Sequence, residues 1–325
     1  MTRPAKRPTS TDVARAAGVS QTTVSFVLND RPGQSISEAT RRRVLDAAQG
    51  LGYRPHASAR TLAAGRSDIV LLSVPDLPVG ASINRMIEEL AVSLAEHGLT
   101  LVTHLVSAHG RPLPEVCASV DASAVLGFEP FDQDTVEALR RLGVTVVPPA
   151  NVDHSLAMRP IGRLQADHLI SRGHQRIGYA LPEHPGFRRM AEDRLRGVMD
   201  ACTDLGLAPP VVLSTSLEIA AAARAVTGWM SESVTGVCAF NDDTAMAVLA
   251  GLREQGLTAP ADLAVIGADD IPTSPLTAPP LTSIRFDLHE VGRRRAEAVI
   301  AGLSGREPHL TFASVNPQVV QRSST

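Results

Sequence analysis

The chain has 325 residues, of which 44% are hydrophobic and 20% charged, and its formal net charge is −3. This length suits two or three compact units with a sizeable core. No apolar run reaches the length of a bilayer crossing, and the basic N-terminus leads into a capped helix instead of a signal-peptide core. Three cysteines, Cys117, Cys202 and Cys238, are scattered among apolar neighbours, so we expect buried, reduced thiols. A soluble, cytoplasmic protein is predicted.

Residues 9–29 predict two short helices joined by a tight turn. A hydroxyl side chain at positions 9–11 can cap the first helix, and Gly18 ends it because glycine adopts positive φ without penalty. Ser20 can cap the second helix. The apolar stripe of the first helix is Val13, Ala16 and Ala17. That of the second is Val24, Val27 and Leu28. This is the layout of a helix-turn-helix, whose second helix presents its first residues to the major groove.

The first 66 residues are strongly basic, with eleven Lys and Arg against four Asp and Glu, whereas the remainder of the chain carries about −10. A basic end on an acidic body is expected when that end faces phosphates. A plain helical hairpin with a solvated positive face is the alternative. The basic residues that flank the predicted helices are Arg3, Lys6, Arg7, Arg41, Arg42 and Arg43.

A third helix is predicted from a cap at Ser37 to Leu51, with Gly52 as its stop. The segment 55–66 follows, short and rich in small residues. Isolated helices of this length are marginal in water. We therefore expect this segment to be disordered unless DNA and a partner copy hold it.

From Ser67 onward, apolar strands alternate with amphipathic helices. Such alternation predicts parallel sheets with helices on both faces, and two successive sets predict two subdomains. Ligands of such sheets bind beyond the strand ends, so the cleft between the subdomains is the expected pocket. The predicted strands are 69–74, 99–106, 122–128, 144–147, 176–181, 210–214, 235–240 and 263–268.

Two stretches, DVARAAGVSQTTVSFVLN and SEATRRRVLDAAQGLGYRPHASARTLAAG, resemble the DNA-binding head of the lactose-repressor (LacI/GalR) family of bacterial transcription regulators. HLISRGHQRIGY, GVCAFNDDTAMAVLAGLREQGL, DLAVIGADD and PPLTSI resemble the periplasmic-binding-protein-like sensor of that family. The resemblance implies an α plus α/β fold. It implies a helix-turn-helix domain at 1–54, a hinge at 55–66 and a two-lobed sensing and dimerisation domain at 67–325.

For base recognition we select Gln21 and Thr22, because glutamine pairs bidentately with adenine and threonine offers a hydroxyl and a methyl group. Phe26 departs from the family, which often has arginine at this position. Either Phe26 contacts the methyl group of a thymine or it makes no base contact; the alternative is a core aromatic residue that faces helix 1. The resemblance implies further DNA contacts, mainly to phosphates, by Thr9, Ser20, Thr23, Ser25, Asn29, Thr40, Tyr53 and His56.

In the resembled family the hinge helix pairs with its twin in the minor groove and wedges a leucine between central base steps. Leu62 falls on that position and Ala59 on the close contact between the helices. Unstacking a base step costs a few kcal/mol, which the bend and the added contacts offset. An ordinary interdomain linker is the alternative.

For an effector, the resemblance indicates Arg194, where the family has a cleft arginine, although a surface ion pair with Glu192 or Asp193 is the alternative. Three further candidates each follow a predicted strand. Asn241 can hydrogen-bond a ligand and precedes a helix capped by Asp242. Asp269 can accept hydrogen bonds from hydroxyl groups or cap a turn with Asp270, and Asp76 is the weakest candidate.

Several departures from the family concern this cleft. The segment PDLPVGAS lacks the aromatic residues that the family often has after the first strand. Pro148 and Pro149 stand where an aspartate commonly ends a strand in the family, and Ala268 stands where an aromatic residue is usual. The segment 151–161 is short, so a strand is expected to be missing there. With 3% aromatic residues overall, either the effector is not a typical sugar or the cleft has lost ligand binding.

We found no GxGxxG, Walker A, HExxH or GxSxG motif and no metal-ligand spacing of histidines, so an enzyme, a cofactor and a metal are not expected. The sequence predicts a homodimeric, DNA-binding transcription regulator, a repressor, whose affinity for a near-palindromic operator is modulated by a small-molecule effector such as a sugar or related metabolite. The alternatives are an effector-independent repressor with a degenerate cleft and a solute-binding protein.

Overall fold

The chain forms two compact units, Met1–Asp68 and Ile69–Thr325, which we call the head and the body. In the computed structural model the described residues are 8–28, 36–53, 66–107, 109–128, 131–145, 155–306 and 316–325. The predicted hinge segment 55–66 therefore lies outside the described residues except for Arg66.

Three helices form the described part of the head: α1 (Ser10–Ala17), α2 (Gln21–Leu28) and α3 (Glu38–Gly50). Their buried side chains make one small core: Val13, Ala14, Ala17, Val24, Val27, Val44 and Ala48. In α1 the buried stripe includes Ala14, whereas Ala16 is exposed. The prediction for Ala16 was wrong because α1 packs against both α2 and α3, which turns its buried arc toward Ala14.

The ends of these helices follow the predicted capping chemistry. Thr9 caps α1: its hydroxyl accepts from Asp12 N at 3.3 Å, and Thr9 N donates to Asp12 Oδ2 at 2.9 Å. Ser20 Oγ accepts from Thr23 N at 3.0 Å, and Ser37 caps α3. Gly18 follows α1 with φ 65°, as the prediction of a glycine stop requires.

The body has two lobes, and lobe 1 contains a three-stranded parallel sheet in the order β2-β1-β3. Val144 and Thr145, where a fourth strand was predicted, are not in a strand; the rest of 144–147 lies outside the described residues. Its strands and helices are β1 (Ile69–Val74), α4 (Ala81–Ala95), β2 (Thr100–Leu105), α5 (Leu113–Val120), β3 (Ala124–Gly127) and α6 (Gln133–Arg141).

Lobe 2 contains a six-stranded sheet in the order β5-β4-β6-β7-β8-β9, parallel except for the β8–β9 pair. Strands β8 and β9 were not among the predicted strands; they have only four and three residues. The elements of lobe 2 are α7 (Ser155–Ser171), β4 (Ile177–Pro182), α8 (Arg188–Asp204), β5 (Val211–Thr215), α9 (Ile219–Ser231), β6 (Gly236–Ala239), α10 (Asp242–Glu254), β7 (Ala264–Ala268), β8 (Thr282–Arg285) and β9 (Gln318–Val320).

Alternate strand residues of lobe 2 enter two cores, one on each face of its sheet. Cys238 and Ile266 pack with α7 and α8, whereas Val237 and Val265 pack with α9 and α10. Helices on both faces of a mostly parallel sheet were predicted, and the structure confirms them. Of the helices in the described ranges, none is long and apolar enough to pass through a lipid bilayer.

The chain passes between the lobes more than once. After β8 it enters α11 (Leu288–Leu303), which packs on α4, and Ala296 and Val299 join the core of lobe 1. The chain then returns to lobe 2 as β9. Each lobe is therefore built from separate parts of the sequence.

Helices α7 and α8 approach so closely that glycine is required at their contact. A Cβ atom added at Gly162 would lie 1.8 Å from Arg194 O. We expect Gly162→Ala to lower the free energy of unfolding of the body by about 2 kcal/mol or more, because one helix must move. Chemical denaturation measures this change. A Gly162→Ala protein as stable as the unaltered one would contradict the close helix contact.

Candidate functional site

The start of α2 presents polar side chains to the surface of the head. Gln21, Thr22 and Ser25 are exposed. Gln21 Nε2 donates to Ser10 Oγ at 2.8 Å, so a contact with α1 holds the glutamine in one orientation. The hydroxyls of Ser20 and Thr23 share a hydrogen bond of 2.8 Å at the same helix end. The structure thus brings together the residues selected for base and phosphate contact on α2.

The other predicted DNA contacts in the head are more dispersed. Phe26 is half-exposed and, within the described part, is not among the side chains packed on the head core. Tyr53 is half-buried and packs on that core. Thr9 caps α1, and Thr40 Oγ1 accepts from Ser37 Oγ at 3.0 Å. Four predicted contacts lie outside the described residues: Asn29, His56, Ala59 and Leu62.

The body contains a cavity of about 460 Å³ lined by residues of both lobes. This volume is within the range of small-molecule sites. Three of the four predicted effector residues line it, namely Arg194, Asn241 and Asp269. The fourth, Asp76, is exposed and is not among the described residues that line the cavity.

Arg194 lines this cleft from α8. Only 4% of the residue is exposed. Nη2 donates to Asp269 Oδ1 at 3.1 Å, Nη1 donates to Phe240 O, and the guanidinium lies 4.8 Å from the centre of the Phe240 ring.

The predicted alternative for Arg194, a surface ion pair with a neighbouring acid, is wrong. Glu192 pairs instead with Arg188 at 2.9 Å, and Asp193 pairs with Arg196 at 2.5 Å. All these residues lie on α8, and the helix turns Arg194 toward the core while Arg188 and Arg196 face outward.

Asp269 connects the two lobes. Its Oδ1 accepts from Arg194, and its Oδ2 accepts from Ser82 Oγ of lobe 1 at 3.1 Å. Burial raises the pKa of Asp269, although the adjacent Arg194 opposes this. Asp269 and Asp270 both have positive φ, 101° and 47°, but Asp270 pairs with Arg285 and Arg322 on the far side of the turn. The two aspartates thus have separate partners.

Asn241, and not Asp242 as the sequence suggested, is the N-cap of α10. Its Oδ1 accepts from Thr244 N at 2.9 Å and from Thr244 Oγ1 at 2.7 Å. The cap geometry leaves Asn241 half-buried on the cleft wall and directs Asp242 into the protein.

Asp242 is a buried carboxyl group that the sequence did not reveal. It is 1% exposed and accepts from Ser274 Oγ at 2.6 Å, Ser283 Oγ at 2.5 Å and Ile271 N at 2.9 Å. Burial raises its pKa to about 7, and the negative charge of Asp269 adds to this shift. No signal in the sequence pairs this residue with two serines more than thirty positions away.

The cleft is rich in aromatic surface, although PDLPVGAS itself contributes none of it. Four of the seven phenylalanines of the chain line it. The ring centres of two of them, Phe187 and Phe240, are 5.2 Å apart. The four come from separate segments of the chain and meet only in the fold: Phe128, Phe187, Phe240 and Phe286.

A second arginine, which the sequence analysis did not select, lines the cleft from lobe 1. Arg295 is 5% exposed, donates from Nη1 to Gly127 O at 3.2 Å and lies 5.7 Å from the centre of the Phe128 ring. Desolvation lowers its pKa to about 10. Arg295 is the last of three consecutive arginines. Because the first two pair with Glu290, the sequence at this point has the pattern of a solvent-exposed helix face.

The three cysteines of the chain are free thiols. Cys117, Cys202 and Cys238 are buried and are not disulfide-bonded, as predicted. Within the described ranges, no three His, Cys, Asp or Glu side chains come together as metal ligands would.

Comparisons with known proteins agree with this architecture. The family "Bacterial regulatory proteins, lacI family" matches residues 9–56, and the "Periplasmic binding protein-like domain" matches 166–325. The HTH-type transcriptional regulator GalR of Escherichia coli is 30% identical over 328 residues, covering 96% of this chain and 94% of its own. GntR of Pseudomonas aeruginosa is 29% identical, covering 100% and 97%.

Solved structures give the same result for the fold. The lac repressor dimer bound to operator and the anti-inducer ONPF superimposes with a TM-score of 0.77 at 23% identity, covering 98% of this chain and 99% of the repressor chain. The CelR–cellobiose complex has a TM-score of 0.67 at 26% identity, covering 98% and 100%.

A helix-turn-helix head followed by a periplasmic-binding-protein-like body defines a class of transcription regulators, and the relatives of this chain are regulators rather than enzymes. The chain belongs to the LacI family of bacterial regulatory proteins.

Proposed function

We propose that this regulator is a repressor that binds a near-palindromic operator as a homodimer. An effector that occupies the cleft lowers or raises its affinity for the operator. The observation that carries the proposal is the exposed row Gln21, Thr22 and Ser25 at the start of a capped recognition helix. The basic head supports it. The lac repressor, whose fold this chain shares, has been solved as a dimer on its operator.

In this proposal Gln21 and Thr22 read base edges, and Phe26 offers apolar contact. Ser20, Thr23 and Ser25 contact phosphates, as do Thr9, Thr40 and Tyr53. The segment 55–66, with His56, Ala59 and Leu62, forms the hinge in the minor groove, between a reading domain at 1–54 and a sensing domain at 67–325. In this proposal the protein acts in the bacterial cytoplasm, where its operator DNA would be accessible to it.

Selection of bound fragments from a random DNA pool tests the operator proposal. We expect a near-palindrome whose half-sites match the two-fold symmetry of a dimer. Affinity should fall steeply as salt rises, because each phosphate contact releases counterions. Failure to enrich any sequence, with binding to all duplexes alike, would contradict sequence-specific recognition.

Gln21→Ala is expected to relax the preference at one base pair of each half-site by about ten- to hundredfold. The amide loses its bidentate contact, while the helix and its caps remain. Binding to operator variants, each altered at one position, measures the change by fluorescence anisotropy. Ser10→Ala should give a smaller loss, since it removes only the hydrogen bond that orients Gln21.

Gln49→Ala is the matched control, because Gln49 is exposed near the end of α3 and bears no proposed base contact. It should leave the preference unchanged. An unaltered preference in Gln21→Ala would remove this residue from base recognition.

The cleft supports effector control of DNA binding. Ser82 of lobe 1, Asp269 and Arg194 form a chain of hydrogen bonds across it, so a ligand that binds there changes how the lobes meet. The CelR chain, 26% identical, was solved with cellobiose. Thermal-shift screening of the purified protein against sugars, nucleosides and small acids tests for an effector; a screen in which no compound raises the melting temperature would favour effector-independent repression.

A further inference from the structure

The first turn of α4 lies at the cleft, on the lobe 1 side. Its N-cap is Gly80, and no described side chain forms a cap hydrogen bond at this helix end. The first N–H groups of a helix have no acceptor within the helix and give that end a partial positive charge. Gly80, Ser82 and Ile83 line the cavity. Acceptors from lobe 2 can therefore supply the cap that the sequence of α4 does not provide.

Two carboxylates of lobe 2 face this turn. Asp269 Oδ2 accepts from Ser82 Oγ at 3.1 Å, which joins the lobes by a hydrogen bond. Asp243 Oδ2 lies beside the helix end, since a Cβ atom built on Gly80 would be 3.5 Å from it. One contact between the lobes is thus formed, and a second carboxylate lies next to the uncapped N–H groups.

Asp243 has no partner within its own lobe that accounts for its position. It is half-buried, and in the described ranges its carboxylate has no hydrogen-bond or ion-pair partner. Burial raises its pKa, and the negative charge of Asp269 adds to this shift. A carboxylate in the first turn of α10 is favoured by the end of that helix, but Asp134 occupies the same position in α6 while it is exposed. The burial of Asp243 is instead explained by the positive end of α4 opposite it.

Asp269 is also attracted by more than one group of α4. Burial raises the pKa of Asp269, whereas Arg194, Ser82 and Arg85 lower it. Ser82 and Arg85 are one turn apart on α4. Lobe 1 therefore presents a hydroxyl, a cation and a helix N-terminus to the two acids of lobe 2. Charges that are partly buried are screened less by salt than charges at the surface.

The position of α4 in the chain connects this contact to the head. Strand β1 begins at Ile69, directly after the head ends at Asp68, and α4 is the next helix. Because α4 packs on β2 and α11, it belongs to the body of lobe 1. A change in how α4 meets lobe 2 therefore changes the lobe to which the DNA-binding head is joined.

We propose that Ser82, Asp243 and Asp269 form an interlobe latch, in which the two carboxylates of lobe 2 hold the first turn of α4 and keep the cleft closed. The latch sets the operator affinity that the protein has without an effector. An effector that hydrogen-bonds to Asp243 or Asp269 changes the same contacts. The inference rests on the proposed function, in that it takes lobe closure as the step that controls DNA binding.

The test measures lobe closure in the full-length protein by energy transfer from Trp229 to a dye on lobe 1. Trp229 is the only tryptophan of the chain and packs in the core of lobe 2. Arg140→Cys places the dye at the exposed end of α6, and the three native cysteines are buried and should not react with it. The double variant Ser82→Ala/Asp243→Asn should lower the transfer efficiency, because the latch loses both its hydroxyl and a charge.

Two further measurements follow the same double variant. Hydrogen exchange of the first-turn amides of α4 should become faster by about tenfold, since carboxylates no longer protect them. Operator affinity without an effector should change by about tenfold or more, because lobe closure and DNA binding are coupled. Fluorescence anisotropy with the selected operator measures that affinity.

Matched variants separate the latch from general effects of substitution. Ser93→Ala removes a buried hydroxyl from the same helix, and Asp134→Asn removes a first-turn acid from α6; within the described part, neither residue lines the cleft. Both should leave the transfer efficiency unchanged. Ser82→Thr retains the hydroxyl and should retain closure. Urea denaturation establishes that each variant is folded.

Each outcome decides the inference. Unchanged transfer in the folded double variant, or an equal decrease in Asp134→Asn, would overturn the latch. Lower transfer with unaltered operator affinity would overturn its control of DNA binding. If the DNA selection yields no operator, the proposed function fails, whereas the transfer measurement still decides whether the latch holds the lobes together.

Discussion

Replacing Arg194 by methionine is expected to lower the free energy of unfolding of the body by about 3–5 kcal/mol, because it breaks a buried ion pair by removing one partner. Asp269, whose side chain is 13% exposed, would lose the guanidinium that neutralises it. Phe240 would also lose the cation over its ring. Urea denaturation, followed by the fluorescence of the buried Trp229 in lobe 2, measures the loss.

The same variant should no longer respond to an effector, since the link from lobe 2 to Ser82 of lobe 1 runs through Asp269. Arg188→Met is the matched control on the same helix. Arg188 is exposed and pairs only at the surface with Glu192, so its removal should change stability by about 0.5 kcal/mol or less. Equal losses of stability in the two variants would show that the buried Arg194–Asp269 pair stabilises the body no more than a surface ion pair does.

The stability of the body should fall between pH 5 and pH 8 because of Asp242. Its carboxyl has a pKa of about 7 in the folded protein against 3.8 as the unperturbed value, so the folded state binds more protons than the unfolded state in this range. The contribution is therefore present at low pH and is lost as the pH rises through 7. The loss is on the order of 3 kcal/mol.

Asp242→Asn provides the comparison, because an amide keeps the shape of the carboxyl without its charge. Ser283 Oγ already accepts from Asp270 N and can accept from the new amide. Urea denaturation of both proteins at pH 5, 6, 7 and 8 isolates the contribution of Asp242, since Asp243 and Asp269, whose pKa values are also raised, are common to both. If the free energies of unfolding of the two proteins changed with pH in parallel, a raised pKa of Asp242 would be refuted.

The head was the part of the fold most accessible from sequence, because its determinants are local. A cap at Ser37, a glycine stop at Gly18 and the spacing of Val24 and Val27 each act within one or two helical turns. The error at Ala16 arose because α1 packs against two helices, and this packing decides which of its residues are buried.

The cleft was predicted only in part, because its chemistry depends on contacts between distant segments. Arg194, Asn241 and Asp269 could be selected through resemblance, yet their partners Phe240, Thr244 and Ser82 could not be derived from local pattern. Scarcity of aromatic residues in the whole chain gave no hint that four rings would converge. Arg295 was missed for the same reason, since its neighbours in sequence are solvent-facing.

The alternating route of the backbone between the lobes restricts how the body can move. Residues 69–145 and 288–306 build one lobe, and residues 155–285 with 316–325 build the other, so three separate stretches of chain join them. Two lobes joined by one stretch of chain could rotate relative to each other about any axis. Three connecting stretches restrict their motion to hinge bending about one axis. Neither lobe can be excised as an uninterrupted fragment, and the two are expected to unfold in one cooperative transition.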